Sequence, residues 1–316
     1  MVGGVDMTAG TFENNGTVGV VLEGGGMRGL YTAGVLDVWM ENGITATATV
    51  GVSAGAVFGC NFKSRQIGRV LRYNLRFCND PRYASLKNLV TTGDLYTRDF
   101  AYRELPHELD IFDVDTFASD PMRFTVVCTD LETGEPVYQD LTTGDDEELD
   151  WMRASASVPL LARPVELDGH KLLDGGIADP IPVRWMLGQG YDKLVVVLTQ
   201  PADYRKQPNR YMPLMRKVLR DYPAFVQEVG DRHVRYNTTL GEIALLERAG
   251  KALVIRPSES VKAPVATKDS AELERIYQVG RADAEARLPA LKAYLAADPV
   301  ERTDPEGAER SEDEER

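Results

Sequence analysis

The sequence is poor in cysteine and histidine, with three of each among 316 residues. Cys60, Cys78 and Cys128 are odd in number and widely spaced. They make neither a disulfide framework nor a CxxC metal pattern, which fits a reducing cytoplasm. No metal ligand set is expected. No run of about 18 apolar residues occurs, so no membrane-spanning helix is expected. The first sixteen residues carry Asp6 and Glu13 but no basic residue. They lack the charged start and apolar middle of a signal peptide. Positive charge is also in deficit, with a net of -13. A general nucleic-acid binder needs a basic footprint, so that class is set aside.

What is present is ordinary soluble-protein composition, with 43% hydrophobic and 27% charged residues. The length suits one large α/β domain or about two domains. Residues 1–16, rich in Gly, Thr and Asn, read as a flexible arm. Residues 298–316 hold nine acids and three bases, with Pro299 and Pro305 among them. That stretch reads as an acidic, disordered tail. Between these ends, Val18 to Leu22 is a short apolar run of buried-strand type. Leu30 to Glu41 reads as a helix stopped at Asn42-Gly43. A second strand ends at Val52, and a helix follows from Ala54 to about Phe62. Strand, loop, helix, strand, turn and helix in sequence predict a parallel α/β sheet. The helical pattern continues from Phe62 to Phe77. Strands are expected at Phe124 to Cys128, Pro136 to Leu141 and Lys193 to Thr199. Pro164 to Leu173 reads as a hairpin around Asp168-Gly169. Residues 201–297 read as mainly helical, with one strand at Ala252 to Ile255.

Three segments carry chemistry. Gly51-Val52-Ser53-Ala54-Gly55 is a G-x-S-x-G pentapeptide between a strand and a helix. In that context a tight turn holds the serine with its hydroxyl projecting, and small neighbours let strand and helix approach. Gly24-Gly25-Gly26-Met27-Arg28-Gly29 opens a helix directly after a strand. Its spacing also fits the dinucleotide fingerprint G-x-G-x-x-G. That fingerprint expects an acid about 20 residues on. Ile44 to Val52 contains none, and the strand runs into the serine turn. The other reading is an oxyanion hole of exposed glycine N–H groups, with Arg28 fixing the loop or adding charge. The third segment is Leu173-Asp174-Gly175-Gly176. A serine hydroxyl needs a base. His107, His170 and His233 sit in no motif, and Asp174 at a strand end is the better candidate. Taken alone, Asp174-Gly175-Gly176 is also a plain turn.

Together these pieces resemble the patatin-like phospholipase family, serine acyl hydrolases with a Ser–Asp dyad. Two further segments resemble it as well. One is Cys128-Thr129-Asp130-Leu131 with Thr133-Gly134-Glu135-Pro136. The other is Ala154-Ser155-Ala156-Ser157-Val158-Pro159. The resemblance covers about Val18 to Gln200, so residues 17–200 are expected to form the catalytic domain. It implies a three-layer α/β/α fold with a mostly parallel central sheet, the helical residues 201–297 packing on it. It implies Ser53 as nucleophile, Asp174 as base, and Gly24, Gly25, Gly26 and Arg28 at the oxyanion hole. Gly29, Gly51, Gly55, Gly175 and Gly176 would support those motifs. The expected substrate is a lipid ester, and no cofactor is implied. An aspartate is a weak base at neutral pH, so burial should raise its pKa.

Two alternatives stand beside this reading. One is a Ser53–Asp174–His233 triad in the chain order of α/β-hydrolases. The other is a non-catalytic lipid- or nucleotide-binding protein on the same scaffold. Peripheral contact with an anionic membrane is a further expectation. Arg65, Arg69, Arg72 and Arg76 would form one cationic helix face. Tyr204 to Arg220 adds Arg205, Lys206, Arg210, Arg216, Lys217 and Arg220 among Tyr211, Met212, Leu214 and Met215. The plain alternative is a solvated face paired with acids such as Asp145, Asp146, Glu147 and Glu148. Oligomeric state is not legible.

Overall fold

The computed structural model of the chain describes residues 11–299. An eight-stranded mixed sheet forms its centre. The strands are β1 (Val18–Leu22), β2 (Ala48–Val52), β3 (Arg123–Asp130), β4 (Pro136–Leu141), β5 (Val165–Leu167), β6 (His170–Asp174), β7 (Lys193–Val197) and β8 (Ala252–Ile255). Their order is β5-β6-β3-β2-β1-β7-β8, with β4 paired on β3. The run from β3 to β8 is parallel, and the pairs among β3, β4, β5 and β6 are antiparallel. β1, β2, β7 and β8 are buried along their whole length. Strands covered on both faces favour apolar residues at nearly every position, which is why they are rich in valine and leucine, with small residues such as Gly19, Ala48 and Gly51 between.

Helices cover both faces. α1 (Gly29–Glu41), α2 (Ala54–Lys63) and α3 (Arg69–Phe77) share one core with α10 (Ser270–Ala296). Two glycines set how closely α1 and α10 approach. A Cβ on Gly34 would lie 2.3 Å from the Tyr277 carbonyl oxygen, and one on Gly280 2.1 Å from that of Tyr31. Short helices α5 (Val114–Ser119) and α6 (Asp146–Ser155) flank the β3 side, with a π-helical stretch at Phe100–Leu109, and a further short helix, α4 (Leu86–Thr92), buries none of its residues. α7 (Val183–Gly188) and α9 (Pro223–Arg248) cover the other face, and α8 (Met212–Val218) precedes α9. Residues beyond 200 therefore do more than pack on a finished sheet: β8 extends it, and α9 and α10 close opposite faces.

Three expectations need correction. The helix expected over 62–77 is broken: α2 stops at Lys63, and Arg65 (φ 56°) and Gly68 (φ 73°) turn the chain before α3. The flexible arm of residues 1–16 is pinned over its described part. Phe12 N donates to Gly43 O at 2.9 Å and Asn15 N to Leu295 O at 2.9 Å. Its first ten residues, and the acidic tail from residue 300 on, lie outside the described residues. The expected cationic face is largely neutralised from within. Arg65 pairs with Asp120 at 2.8 Å, and Arg72 with Asp110 at 2.7 Å. Arg69 is buried against Asn61 and Asp110, and Arg76 caps the Leu109 carbonyl. The neutralising acids are Asp110 and Asp120, not the Asp145–Glu148 group. Asp146 of that group pairs instead with Arg103 and His107.

Candidate active site

Strand register brings the site together. On β3, Val127 pairs with Val52 of β2, and the next residue, Cys128, pairs with Asp174 of β6. Both lie opposite β4, which pairs with Val127 and Cys128 on the other edge. β2 and β6 thus run toward each other along one edge of β3 and meet end to end. Ser53 follows the end of one, and Asp174 is the end of the other.

Where they meet, the Ser53 hydroxyl donates to Asp174 Oδ2 at 2.7 Å. Ser53 stands at φ 55°, ψ -120°, at the N-terminus of α2. A non-glycine residue there costs on the order of 1–3 kcal/mol and persists only when its surroundings hold it. Several contacts do so. Its N–H donates to Ser155 Oγ at 2.9 Å, and Ser155 Oγ donates to Val127 O at 2.6 Å. Its carbonyl accepts from Ala56 N and Val57 N. The turn is also too tight for side chains. A Cβ on Gly51 would lie 2.4 Å from Gly55 O, and one on Gly55 2.4 Å from Leu22 O.

Asp174 is equally constrained. Its Oδ1 accepts from Gly176 N at 2.8 Å, and its own N–H donates to Ser157 O at 2.9 Å. A Cβ on Gly175 would lie 2.0 Å from Val127 O, so only glycine passes there. Arg232 of α9 donates from Nε to Gly176 O and clamps the turn from outside. Burial pushes the Asp174 carboxyl up from the usual range. The Ser53 bond, the Arg232 charge and the Gly176 N–H act in the opposite direction. The carboxyl is thereby a better base than a free aspartate.

The glycine loop forms the facing wall. Gly24 lies against the turn, where a Cβ would meet Val52 O at 2.8 Å and Ser53 Cβ at 2.9 Å. Thr199 Oγ1 donates to Gly24 O at 2.9 Å. In a trans peptide the N–H points opposite the carbonyl, so the Gly25 N–H is turned away from Thr199. Among the described residues the Gly24 and Gly25 N–H groups have no protein acceptor. Gly26 (φ 56°) begins a single 3-10 turn ahead of Gly29 and α1. Gly29 lets α1 pack on α2, since a Cβ would meet Ala54 Cβ at 2.7 Å. Ahead of the loop, buried Glu23 accepts from Thr199 N and from the Tyr236 hydroxyl, each at 2.6 Å. Burial raises the Glu23 pKa, against those same bonds.

Two cavities open from Ser53. One, of about 100 Å³, is lined by Met27, Val57, Phe58, Tyr73, Leu161 and other apolar groups. It shares Met27, Tyr83, Leu95, Tyr96, Leu161 and Val265 with a further cavity of about 390 Å³. The other, of about 250 Å³, is polar and holds Asp174, Arg28, Lys206, Arg232 and Tyr204. None of the three histidines lines the cavity that Ser53 and Asp174 share. His107 meets Asp146, His170 meets Asp130, and His233 Nδ1 meets the Gly230 carbonyl within its own helix. The triad arrangement with His233 is therefore absent. Among the described residues no group of acids, cysteines and histidines could hold a metal.

The site also contains groups that no motif announces. Glu23 and Thr199 adjoin strand ends, and Tyr236 and Arg232 come from α9 with no local pattern to mark them. Lys206, expected on the membrane-facing basic stretch, is instead half-buried in the lining of the polar cavity.

The chain matches the family model described as patatin-like phospholipase over residues 20–186, just over half its length. This protein belongs to the patatin-like phospholipase family. A second model, a domain of unknown function, matches residues 222–296. An uncharacterized protein, YjjU, of Escherichia coli is 29% identical over 214 residues, covering 64% of this chain and 57% of that one. An uncharacterized NTE family protein of Mycobacterium bovis is 27% identical, covering 57% and 48%. Lysophospholipase NTE1 of Candida glabrata is 26% identical, covering 87% of this chain but 16% of its own length. The chain thus spans about half the length of the bacterial relatives and a small part of the fungal one. Among solved structures, VipD from Legionella pneumophila aligns with a TM-score of 0.44 at 13% identity, covering 87% and 67% of the two chains. This patatin-like chain has a mostly parallel sheet covered by helices on both faces. Among its described residues, no helix is long and apolar enough to cross a membrane.

Proposed function

We propose that this protein is a serine hydrolase of lipid acyl esters, working through an acyl-enzyme on Ser53 with Asp174 as base. The observation that carries the reading is the 2.7 Å bond from the Ser53 hydroxyl to a buried carboxylate, at the junction of an apolar and a polar cavity. Asp174 takes the Ser53 proton as Oγ bonds to the ester carbonyl carbon. The carbonyl oxygen becomes an oxyanion facing the Gly24–Gly26 N–H groups, and Arg28 supplies positive charge nearby. Collapse breaks the carbon–oxygen bond to the alcohol, which leaves with the proton held by Asp174. Water then attacks the acyl-enzyme, gives its proton to Asp174, and releases the fatty acid, and Ser53 regains its hydrogen. The apolar cavity takes the acyl chain, at about 0.8 kcal/mol for each buried methylene.

The test is fatty-acid release from lipid esters of graded chain length. The wild type should release acid, and Ser53→Ala should release none above background. Equal release by both proteins would end the proposal.

We place the protein in the cytoplasm with peripheral membrane contact. Its three cysteines are buried and unpaired, which suits a reducing compartment. Of the two basic stretches, the one around α8 favours docking. Tyr211, Leu214 and Val218 are exposed there among Arg210, Arg216 and Lys217, which stand in no ion pair among the described residues.

A further inference from the structure

The polar cavity beside Ser53 has an unusual charge inventory. Arg28, Lys206 and Arg232 all line it, and none forms an ion pair with any described residue. The Arg28 Nε is buried without a partner. Arg232 has its Nε on the Gly176 carbonyl, which leaves its two terminal nitrogens for other acceptors. Lys206 lies over the Tyr236 ring at 5.3 Å, and no side-chain hydrogen bond ties its ammonium. Burial, then the charges of Arg232 and Arg28, pull its pKa down to about 8. It thus stays mostly protonated at neutral pH.

The carboxylates in the same cavity are occupied. Asp174 holds Ser53 and Gly176, and Glu23 holds Tyr236 and Thr199. Three cations therefore face at most two charged acids, each of whose oxygens already accepts a hydrogen bond. A cationic headgroup would find no free carboxylate. Of the two tyrosines that line the cavity, Tyr236 already carries the Lys206 ammonium on its ring, and Tyr204 packs edge to face on Tyr236 at 5.9 Å. A phosphate monoester, with a charge of about -1.5 to -2, complements the surplus. Arginines supply forked donors for its oxygens and the lysine a point charge.

We propose that Arg28, Lys206 and Arg232 form a phosphate subsite on the leaving-group side of Ser53, selecting acyl esters whose alcohol bears a phosphate monoester and no cation. This rests on the hydrolase reading for its orientation, with the acyl chain in the apolar cavity and the alcohol in the polar one. Lys206 and Arg232 come from outside residues 20–186. The segment beyond the matched family region would thus set headgroup choice. The products are a fatty acid and a glycerol phosphate, by cleavage of one ester carbon–oxygen bond with one water.

The test has a binding arm and a turnover arm, both on the full chain. In the first, Ser53→Ala is titrated with 1-oleoylglycerol 3-phosphate, 1-oleoylglycerophosphocholine and 1-oleoylglycerol in matched detergent. The phosphate monoester should bind at least about tenfold tighter than the other two. Adding Lys206→Gln should shrink that ratio about tenfold, and Lys206→Arg should restore most of it. Equal binding of all three, or a ratio that Lys206→Gln leaves untouched, overturns the subsite. Inorganic phosphate and glycerol 3-phosphate serve as competitors. Competition by glycerol 3-phosphate with little from inorganic phosphate supports a leaving-group site. Equal competition by both assigns the cavity to free phosphate and overturns the leaving-group role. In the second arm, wild type is assayed on p-nitrophenyl butyrate, which carries no phosphate. Turnover there with no phosphate preference in binding rejects the subsite alone. Phosphate-selective binding without turnover rejects the hydrolase reading alone.

Discussion

Replacing Asp174 by Asn is the sharpest perturbation of the proposed dyad, because the geometry dictates how the amide must sit. Gly176 N donates to Oδ1 at 2.8 Å, and Ser53 Oγ donates to Oδ2 at 2.7 Å. An asparagine has one acceptor oxygen. If Gly176 keeps it, the amide NH₂ faces Ser53, and the serine hydroxyl must accept a bond instead of donating its proton. The flipped amide would set two donors against each other at Gly176. Either way the nucleophile loses its base. Positioned general bases contribute about 10²–10⁴-fold. We expect kcat/KM on p-nitrophenyl butyrate to fall about 10³-fold, roughly 4 kcal/mol of barrier. The fold should survive, since the change also removes a charge that burial disfavours. Thermal unfolding should stay within about 5 °C of wild type. A folded Asp174→Asn protein retaining more than about a tenth of the activity would refute the reasoning, because its hydroxyl would have found another base.

Three further outcomes follow from the same structure. Arg232→Gln removes a cation that lowers the Asp174 pKa, so that pKa rises further and the acid limb of kcat/KM moves to higher pH. The activity loss should be several-fold larger at about pH 5.5 than at about pH 8, and Arg232→Lys should move the limb less. The groups facing Asp174 in this balance are Ser53, Arg232, Lys206, Tyr102 and Cys128; a pH-independent loss would mark Arg232 as a brace alone. Asp37, 4% exposed, is pushed up to about 6 by burial, although its Oδ2 accepts from Tyr277 and Gly68. A carboxyl raised in the folded state favours folding when protonated, so its cost is absent below about pH 3.8 and complete above about pH 6. Asp37→Asn keeps an acceptor for both bonds and should stabilise the protein by up to about 3 kcal/mol near pH 7.5 but little near pH 4, as denaturant unfolding at the two pH values would report. For docking at α8, co-sedimentation with vesicles should rise with anionic lipid and fall with salt. Arg216→Glu with Lys217→Glu should lower it several-fold, and binding indifferent to lipid charge would remove that role.

How much of this could be read from the residues depended on locality. The Ser53 turn follows from Gly51, Ser53 and Gly55, because each small residue answers a carbonyl a few positions away or on the neighbouring strand. The hairpin at Asp168-Gly169 was legible for the same reason, both residues adopting positive φ. The helix break at Arg65 was not, since no glycine or proline marks it before Gly68. The basic residues from Arg65 to Arg72 looked like a surface stripe, because their partners Asp110 and Asp120 lie some forty residues or more away. The meeting of Ser53 and Asp174 depends on β2 and β6 sharing an edge of β3, a register that sequence spacing does not encode. Arg232, Lys206 and Tyr236 reach the site only through the packing of α9 and the loop before α8. On a single chain such residues look like ordinary helix and loop positions.

The most direct measurement is labelling with a fluorophosphonate probe followed by peptide mass mapping. The proposed dyad predicts one labelled site, Ser53, with no labelling of Ser53→Ala and sharply slowed labelling of Asp174→Asn. Folded wild-type protein that takes no label, or a label on another serine that survives Ser53→Ala, would contradict it.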